Sequence, residues 1–427
     1  MAGGILIGLL AFLVTGIPVG VGLAIVGLVS GYFVIGESSL LGLPSSLFAG
    51  ITSFLLIAIP LFILMSEILR RGGVTELLFE TITRWVGHLP GGLAVSTVLT
   101  SAVGASITGS SVANAASMAI VAVPPMLERG YERRFTYGLV AASGTLGIMI
   151  PPSIPMLLYG EITEESIGKL FIAGVIPGLL LTAMLVIYAV VVCVRGGVYQ
   201  PIPKYSWSER WKYTFRALPA LLLPVIVVGG IYSGVFTPTE AAAIGVTYAL
   251  ILSMVVYRTL SWKDLIQAFR DSLITSAMIL MIIAGSHVLG SVMTKMQLSQ
   301  DLLRFVADLD LSPWVFIVAT MVLLFFLGMI LEVISIIFIV LPLLHPIILE
   351  LGFDPIWYAV IFTLNMEIAL ITPPVGMVLY VMTGMVRRPI TEVIQGVLPF
   401  VGVLAVCLLF LIIFPQLSLW LPEVLRL

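Results

Sequence analysis

The second half of this chain repeats its first half at a constant offset of 222 positions, with no gap over the best-matching stretch. Three landmarks share the offset, and their common spacing argues against coincidence. The paired landmarks are Pro124–Glu132 with Pro346–Asp354, Pro151-Pro152 with Pro373-Pro374, and Gly174–Pro177 with Gly396–Pro399. A membrane chain built from two copies, each with a proline-broken helix at the same place, can expose one site alternately to two sides. The repeat therefore indicates a carrier.

Composition places the chain in a membrane. Hydrophobic residues make up 60% of the 427 positions, and charged residues make up only 10%. Several apolar runs exceed the roughly 20 residues that a helix needs to cross a bilayer, and they lack the alternating polarity of a membrane β-barrel. We therefore expect an all-α integral membrane protein surrounded by lipid. The net charge of -2 offers no basic surface, so no nucleic-acid partner is expected.

The apolar runs divide the chain into three parts. We expect a first repeat at 1–195, an amphipathic connector with a linking helix at 196–235, and a second repeat at 236–427. Trp207 and Trp211 stand beside basic residues, which suggests that the connector lies on the membrane surface. The other expected membrane runs are 3–34, 47–70, 136–160, 168–195, 217–233, 238–257, 270–292, 357–382 and 395–421, with shorter amphipathic helices at 74–88 and 298–309.

Two apolar runs, about 92–127 and 313–347, are too long for one ordinary spanning helix. Small or polar residues interrupt each of them, at 104–111 in the first and at 328–332 in the second. We predict that both are re-entrant hairpins, which enter and leave the membrane on one side. The first is expected on the cytoplasmic side and the second on the periplasmic side, because the second repeat is inverted.

The distribution of charge supports this topology. With the amino terminus cytoplasmic and the carboxyl terminus periplasmic, most Lys and Arg residues face the cytoplasm, while the acidic loop 161–165 falls outside. Positive charge inside is the general tendency of multi-pass proteins, and the inversion was not used to place these charges. We expect the chain in a bacterial inner membrane.

Each Pro-Pro pair should break a membrane helix, at 136–160 in the first copy and at 357–382 in the second. Proline removes amide donors, so the carbonyl groups left without partners can coordinate a dehydrated cation. Together with the hairpin tips, the breaks suggest two oxygen-rich sodium sites, one per copy. The positive ends of half-helices that begin near Ser110 and Pro152 could hold an anion between these sites.

Plainer interpretations of the same residues stay open. A Pro-Pro pair can merely kink a packed helix, and small residues often serve only as helix-packing surface. Hydroxyl groups can bond the carbonyls of their own helix instead of a ligand. Glu332 in the second hairpin tip could help to bind a cation or could form a structural pair.

The segments Ile148–Ser153, Thr372–Gly376, Phe236–Ala242 and Ile107–Ser111 resemble the large membrane subunit of tripartite ATP-independent periplasmic transporters. The resemblance extends over essentially the whole chain. It implies an elevator-type secondary transporter that imports an organic acid anion, of the dicarboxylate or sugar-acid type, by sodium symport. It also implies a periplasmic substrate-binding protein and a small four-helix membrane subunit. We expect that subunit on a separate chain, because the first copy begins near the amino terminus.

The resemblance also implies site residues. No cofactor and no transition metal are expected, only sodium as the coupling ion. The predicted sodium ligands are Ser106, Thr108, Ser110, Gly144, Gly147, Pro151, Gly328, Asn365, Ile368 and Thr372. The predicted substrate-binding residues at the tips and breaks are Ser111, Asn114, Pro152, Ser153, Glu332, Pro373 and Pro374. Because the tips and breaks contain no Lys or Arg, helix ends, hydroxyls and bound sodium would have to hold the anion.

Two rival functions remain at this level. A stand-alone carboxylate carrier, coupled to sodium or protons, would share the repeat and the breaks but need no partner proteins. An intramembrane hydrolase could use Ser110 with His287, although the sequence lacks an HExxH motif and a complete serine-protease signature.

Overall fold

The computed structural model describes residues 8, 12, 16–196, 202–308 and 312–425. Every regular element within these ranges is a helix, as the sequence predicts. Seven of the described helices are long and apolar enough to cross a membrane, or eight if one bent pair forms a single span. The chain is therefore an all-α membrane protein.

The helices of the first half are labelled α1 to α9. Their bounds are α1 Val19–Ile35, α2 Ser38–Ile51, α3 Ala58–Arg71, α4 Val74–Val86, α5 Gly92–Thr108, α6 Ser111–Glu128, α7 Arg133–Gly144, α8 Ile154–Thr163 and α9 Ile167–Gly196. Two 3₁₀ turns, Phe54–Ile57 and Thr145–Ile148, precede α3 and follow α7.

The helices of the second half are labelled α10 to α19. Their bounds are α10 Trp207–Tyr232, α11 Pro238–Leu250, α12 Trp262–Lys295, α13 Leu298–Asp308, α14 Pro313–Gly328, α15 Val333–Glu350, α16 Pro355–Leu370, α17 Met377–Val386, α18 Ile390–Ile413 and α19 Gln416–Val424. A π-helical turn, Ile251–Val256, continues α11.

Helices α1, α2, α3, α10, α11 and α12 form one group, which we call the frame. Within it α12 packs against α1, α2 and α3, while α11 packs against α3 and α10. Glycine allows the closest crossing: a Cβ on Gly285 would lie only 2.1 Å from the carbonyl oxygen of Gly20. The frame helices α10, α11 and α12 each begin with a capping box, which satisfies amide groups at the helix start.

The hairpins and broken helices form a second group, in which α7 packs tightly on α18 and on α6. The α7–α18 crossing also depends on glycine, because a Cβ on Gly138 would lie 2.0 Å from the carbonyl oxygen of Gly396. Helix α15 of this group packs directly against α12 of the frame. This contact joins the two groups beside the site described below.

Both long apolar runs are pairs of helices. Helices α5 and α6 are separated at Gly109 and Ser110, and α14 and α15 are separated at 329–332. Helical structure also stops at both Pro-Pro pairs, between α7 and α8 and between α16 and α17. The peptide bonds Pro151-Pro152 and Pro373-Pro374 are both cis.

The predicted membrane run at 3–34 is not one continuous helix. Residues 16–18 are non-helical, and α1 begins only at Val19, after Gly16 with a φ of 72° and Pro18. A proline cannot donate an intrahelical hydrogen bond, so it favours a helix start at this point. Residues 3–7, 9–11 and 13–15 of the predicted run lie outside the described residues.

The predicted run at 47–70 is also wrong as a single helix. Thr52 and Ser53 separate α2 from the following 3₁₀ turn and α3, and the two helical parts meet at 61°. The Ser53 side chain caps the new start by accepting a hydrogen bond from the Leu55 amide. This capping serine gives a third helix break, which hydropathy alone does not reveal.

Two other boundaries differ from the sequence prediction. The connector and the linking helix are continuous from Trp207, since the capping box at Ser206 starts one helix that includes both. The last predicted run, 395–421, ends early at Ile413, and α19 follows Pro415 as a separate short helix. Proline at that point cannot supply the amide that would continue α18.

Candidate functional site

The first hairpin tip lies against the first helix break. The carbonyl oxygen of Gly109 accepts a hydrogen bond from the amide of Ile154 over 3.4 Å. Gly109 has a φ of 59°, and a Cβ there would lie 2.8 Å from the carbonyl oxygen of Pro152. Gly147 approaches from the other side, with its hypothetical Cβ 2.5 Å from the carbonyl oxygen of Ser110. Only glycine permits backbones this close.

The second tip meets the second break in a similar way. The amide of Gly376 donates to the carbonyl oxygen of Met329 over 3.1 Å. A Cβ on Gly328 would lie 2.7 Å from the Cβ of Ala369, so α14 closely approaches α16 at this point. Gly328 belongs to the second predicted sodium set. The second tip and the second break are therefore brought together through this residue.

Two buried side chains hold the first hairpin to α7 and to the 3₁₀ turn that follows it. The Ser111 hydroxyl donates to the carbonyl oxygen of Thr145 over 2.9 Å. The Asn114 amide nitrogen lies 3.0 Å from the carbonyl oxygen of Ser101 and 3.2 Å from that of Gly144. These bonds connect both arms of the hairpin to the helix that leads to the first break, so Asn114 has a positioning role.

Some predicted oxygens of the first hairpin are free to bind a ligand and some are not; Thr108 and Ser106 come from the predicted sodium set, and Asn114 comes from the predicted substrate-binding set. Thr108 Oγ1 and Asn114 Oδ1 are buried without a hydrogen-bond partner among the described residues. A buried polar atom is normally paired, so these two oxygens are candidates for a bound cation. In contrast, the Ser106 hydroxyl donates to Val103 of its own helix over 2.7 Å. Thr108 is therefore a stronger candidate ligand than Ser106.

The second predicted sodium set is more engaged in structural bonds. The Asn365 amide nitrogen donates to the carbonyl oxygen of Met321 over 2.8 Å, which ties α16 to α14. The Thr372 hydroxyl donates to the carbonyl oxygen of Ile368, one turn earlier. The Ile368 carbonyl, itself a predicted ligand, is thus already an acceptor.

A cavity of about 490 Å³, which we call the first cavity, lies beside both tips. Of the predicted residues, Thr108, Ser110, Ser111 and Glu332 line it. Asn114 and Ser153 are almost completely buried nearby, and neither lies on the described wall. The predicted residues Pro151, Pro152, Pro373 and Pro374 also lie off that wall.

Helix amino termini converge on the first cavity. Ser111 begins α6, Ile154 begins α8, Val333 begins α15 and Met377 begins α17, and all four residues line the wall. The amino end of a helix carries partial positive charge and free amide groups, so it attracts anions. Serine side chains cap two of these helices, at Ser110 and Ser153.

The frame contributes a cation that the sequence analysis did not assign to the site. Arg70 and Glu67 of α3 line the first cavity, with Arg70 Nη2 2.6 Å from Glu67 Oε2. Glu67 also lies 3.6 Å from Arg71, which pairs with Asp271 of α12. Glu67 and Arg70 are three residues apart on one helix, a spacing that brings their side chains together, but their position on the cavity wall depends on how the frame packs against the hairpins.

A second cavity of about 450 Å³ lies at another part of the boundary between the frame and the hairpins. Its wall includes Ser53, Glu161, Ser286 and His287. Ser110 lines the first cavity and His287 lines the second, so the structure does not bring together the pair that a hydrolase would need.

The family description "Tripartite ATP-independent periplasmic transporter, DctM component" matches residues 6–417. The chain belongs to this family. The resemblance drawn from the proline and hairpin motifs is therefore confirmed. Since the relatives are transporter permease components, the hydrolase alternative is wrong. The chain is a multi-pass membrane protein of a bacterial transporter family.

Curated relatives match over nearly their full length. The chain is 40% identical to the C4-dicarboxylate large permease DctM of Pseudomonas aeruginosa over 385 residues, covering 90% of each chain. It is 35% identical to the sialic acid large permease SiaM of Vibrio cholerae over 421 residues, and 34% identical to the ectoine large permease TeaC of Halomonas elongata over 417 residues. These two alignments cover 98% and 97% of both proteins, respectively.

Two solved structures share the fold at low sequence identity. The YdaH transporter of Alcanivorax borkumensis superposes with a TM-score of 0.66 over 89% of each chain, at 14% identity. MtrF of Neisseria gonorrhoeae superposes with a TM-score of 0.62 over 90% of this chain and 85% of its own, at 11% identity. Both likenesses concern the fold alone.

Proposed function

We propose that this large permease subunit imports an organic acid anion by sodium symport. One observation carries the proposal: the amino termini of α6, α8, α15 and α17 line one cavity together with Arg70. Oriented amides and a guanidinium attract a carboxylate without a dedicated cation on the hairpin tips. Two of the relatives are named as permeases for C4-dicarboxylates and sialic acid, which are organic acids.

Sodium coupling is part of this proposal. The unpartnered oxygens of Thr108 and Asn114, with the backbone at the first break, supply the hard oxygen donors that such a cation prefers. Bound sodium would order the first tip, complete the anion site and permit the hairpin group to move past the frame. The two repeats, the inverted topology and the cytoplasmic amino terminus belong to the same proposal.

The proposal includes partners. A periplasmic binding protein delivers the substrate, and a small membrane subunit on another chain completes the complex. The exposed apolar faces of the frame, for example Phe215 and Val225 on α10, are available to lipid or to such a subunit.

The test is reconstitution of the chain in liposomes with its small membrane subunit and its periplasmic binding protein. We expect uptake of a labelled C4-dicarboxylate or sialic acid only with an inward sodium gradient and with all three proteins. Uptake of equal rate by the chain alone would favour a stand-alone carrier. Equal uptake after replacement of sodium by potassium, with no proton gradient, would overturn the sodium assignment.

A further inference from the structure

The two cavities are arranged in sequence along the same helices. On α12, Thr275, Met278 and Ile279 line the first cavity, whereas residues from Ile283 to Thr294 line the second. Helix α12 is one of the candidate membrane spans. The two cavities therefore occupy successive depths along a single spanning helix.

Helix α15 shows the same order. Glu332, Val333 and Ile334 line the first cavity, and Phe338 and Pro342 line the second. Helix α8 agrees, with its start on the first cavity and Glu161, near its end, on the second. On all three helices the first cavity comes before the second, so the two cavities lie on opposite sides of the same helical turns.

Only one helical turn separates the cavities on each of α12 and α15. Ile279 and Ile283 are four residues apart, and so are Ile334 and Phe338, a separation of about 6 Å along a helix axis. The hydrocarbon core of a bilayer is about 30 Å thick. The barrier between the cavities is therefore much thinner than the membrane.

The residues of this turn are apolar and closely packed. Ile279 is 3% exposed, Ile283 1%, Ile334 6% and Phe338 7%, and α12 and α15 pack directly against each other. The turn contains one exception, the fully buried Ser335, whose hydroxyl has no hydrogen-bond partner among the described residues. The unpaired Ser335 hydroxyl could bond to a water molecule that enters the turn. The barrier therefore depends on the close fit of the apolar side chains around Ser335.

We propose that Ile279, Ile283, Ile334 and Phe338 form a one-turn seal that separates water on the two sides of the membrane. The seal stops coupling ions from leaking between the cavities, because an ion must lose its hydration to enter closely packed apolar side chains. The proposal rests on the proposed function in one respect, namely that the ion whose leak matters is sodium.

Cysteine labelling tests the seal without any transport. Thr275→Cys and Ser291→Cys place thiols at exposed positions on the two cavity walls, in a background without the buried Cys193 and Cys407. A membrane-impermeant maleimide should modify the first from one face of sealed vesicles and the second from the other face. Ser335→Cys, fully buried in the turn and on neither cavity wall, should react from neither face. Labelling of both wall positions from the same face, or ready labelling of Ser335→Cys, would overturn the proposal.

A leak assay tests the consequence. We expect Ile283→Ser to increase sodium entry into liposomes, without substrate and under an applied potential, by about tenfold or more. Ile274→Ser on the same helix is the matched control, since Ile274 is 61% exposed and lines neither cavity. This variant should admit no more sodium than the wild type. An equal leak in both folded variants would contradict the proposal. If Ile283→Ser fails to fold, the labelling result decides.

The two proposals fail in different ways. If uptake proves to depend on another ion, the side-specific labelling pattern still stands, and the leak assay is repeated with that ion. If the labelling pattern fails, the seal is wrong even where sodium drives uptake.

Discussion

The backbone amide of Gly376 donates a hydrogen bond to the carbonyl oxygen of Met329 over 3.1 Å. Ile154, which lies 222 positions before Gly376, likewise donates to the carbonyl oxygen of Gly109 over 3.4 Å, and Gly109 lies 220 positions before Met329. Each helix break is therefore tied to the hairpin tip of its own half by a backbone bond. We infer that each tip and its break move as one unit.

Replacing Gly109 by alanine should separate the first tip from its break. The left-handed backbone at this position disfavours a side chain by about 1–2 kcal/mol, and the new Cβ would also meet the Pro152 carbonyl at 2.8 Å. We expect uptake in liposomes to fall by about tenfold or more. Gly130→Ala is the matched control, because Gly130 also has a positive φ but no atom of the described residues lies within 4 Å of a Cβ there. Equal loss in both variants would show that backbone strain alone is responsible.

Thr108→Val should raise the sodium requirement of uptake. The substitution keeps the side-chain shape but removes a buried hydroxyl that has no partner among the described residues. Loss of one ligand worth about 1.4 kcal/mol would raise the half-saturating sodium concentration about tenfold. Ser106→Ala should change it little, since that hydroxyl already bonds its own helix. Thr108 is not a sodium ligand if both variants keep the wild-type sodium dependence of uptake.

Asn114→Ala should destabilise the first hairpin. Its amide nitrogen lies within hydrogen-bond distance of Ser101 and of the Gly144 carbonyl, so these buried acceptors would lose their partner. The expected cost is about 1–3 kcal/mol, measured as a lower Tm in detergent. Ser96→Ala, on the same hairpin, removes only a bond to its own helix and should have a smaller effect. A Tm equal to that of the control would exclude the positioning role.

Arg70→Gln should weaken substrate binding. Arg70 is on the wall of the first cavity, and removing its charge should raise the KM for the anion about tenfold at unchanged sodium requirement. Arg71→Gln disrupts the same ion-pair network but lies off that wall, so its KM should remain near that of the wild type. Uptake measured over a substrate series distinguishes the two. An unchanged KM in Arg70→Gln would remove this residue from the site.

Glu165→Gln should stabilise the protein at neutral pH. Burial and then the negative charge of Asp354 raise the pKa of Glu165, in the loop between α8 and α9, above its usual range. A raised pKa in the folded state means that the associated stability is present at low pH and is lost as pH rises through that pKa.

The Tm of Glu165→Gln should therefore exceed that of the wild type at pH 7 and approach it near pH 4. Glu164→Gln, at the exposed neighbouring position, serves as the control. A difference that is constant across this pH range would rule out titration of Glu165 as the cause.

Part of the site could be predicted from the sequence, because some residues determine the backbone structure at their own positions. The Pro-Pro pairs and the small, polar interruptions of two apolar runs act on the backbone at their own positions, so they located the breaks and the tips. Thr108, Ser110, Ser111 and Glu332 were candidates for that reason, and all four line the first cavity. The bend at Thr52 and Ser53 was missed, because a capping serine within an apolar run leaves the hydropathy unchanged.

The sequence by itself determined a helical membrane protein, its family and the approximate places where its helices break. The helical membrane fold and the breaks follow from hydropathy, proline and glycine, which act locally along the chain, whereas the family was recognised from the resemblance of four short segments. Only the tertiary structure decided which side chains meet. Arg70 joins a cavity whose wall includes residues 108–113 and 332–334, and Ile283 of α12 shares a cavity wall with Phe338 of α15, because helices distant in the sequence pack at one boundary. Such contacts depend on the fit of whole helices, which no single segment encodes.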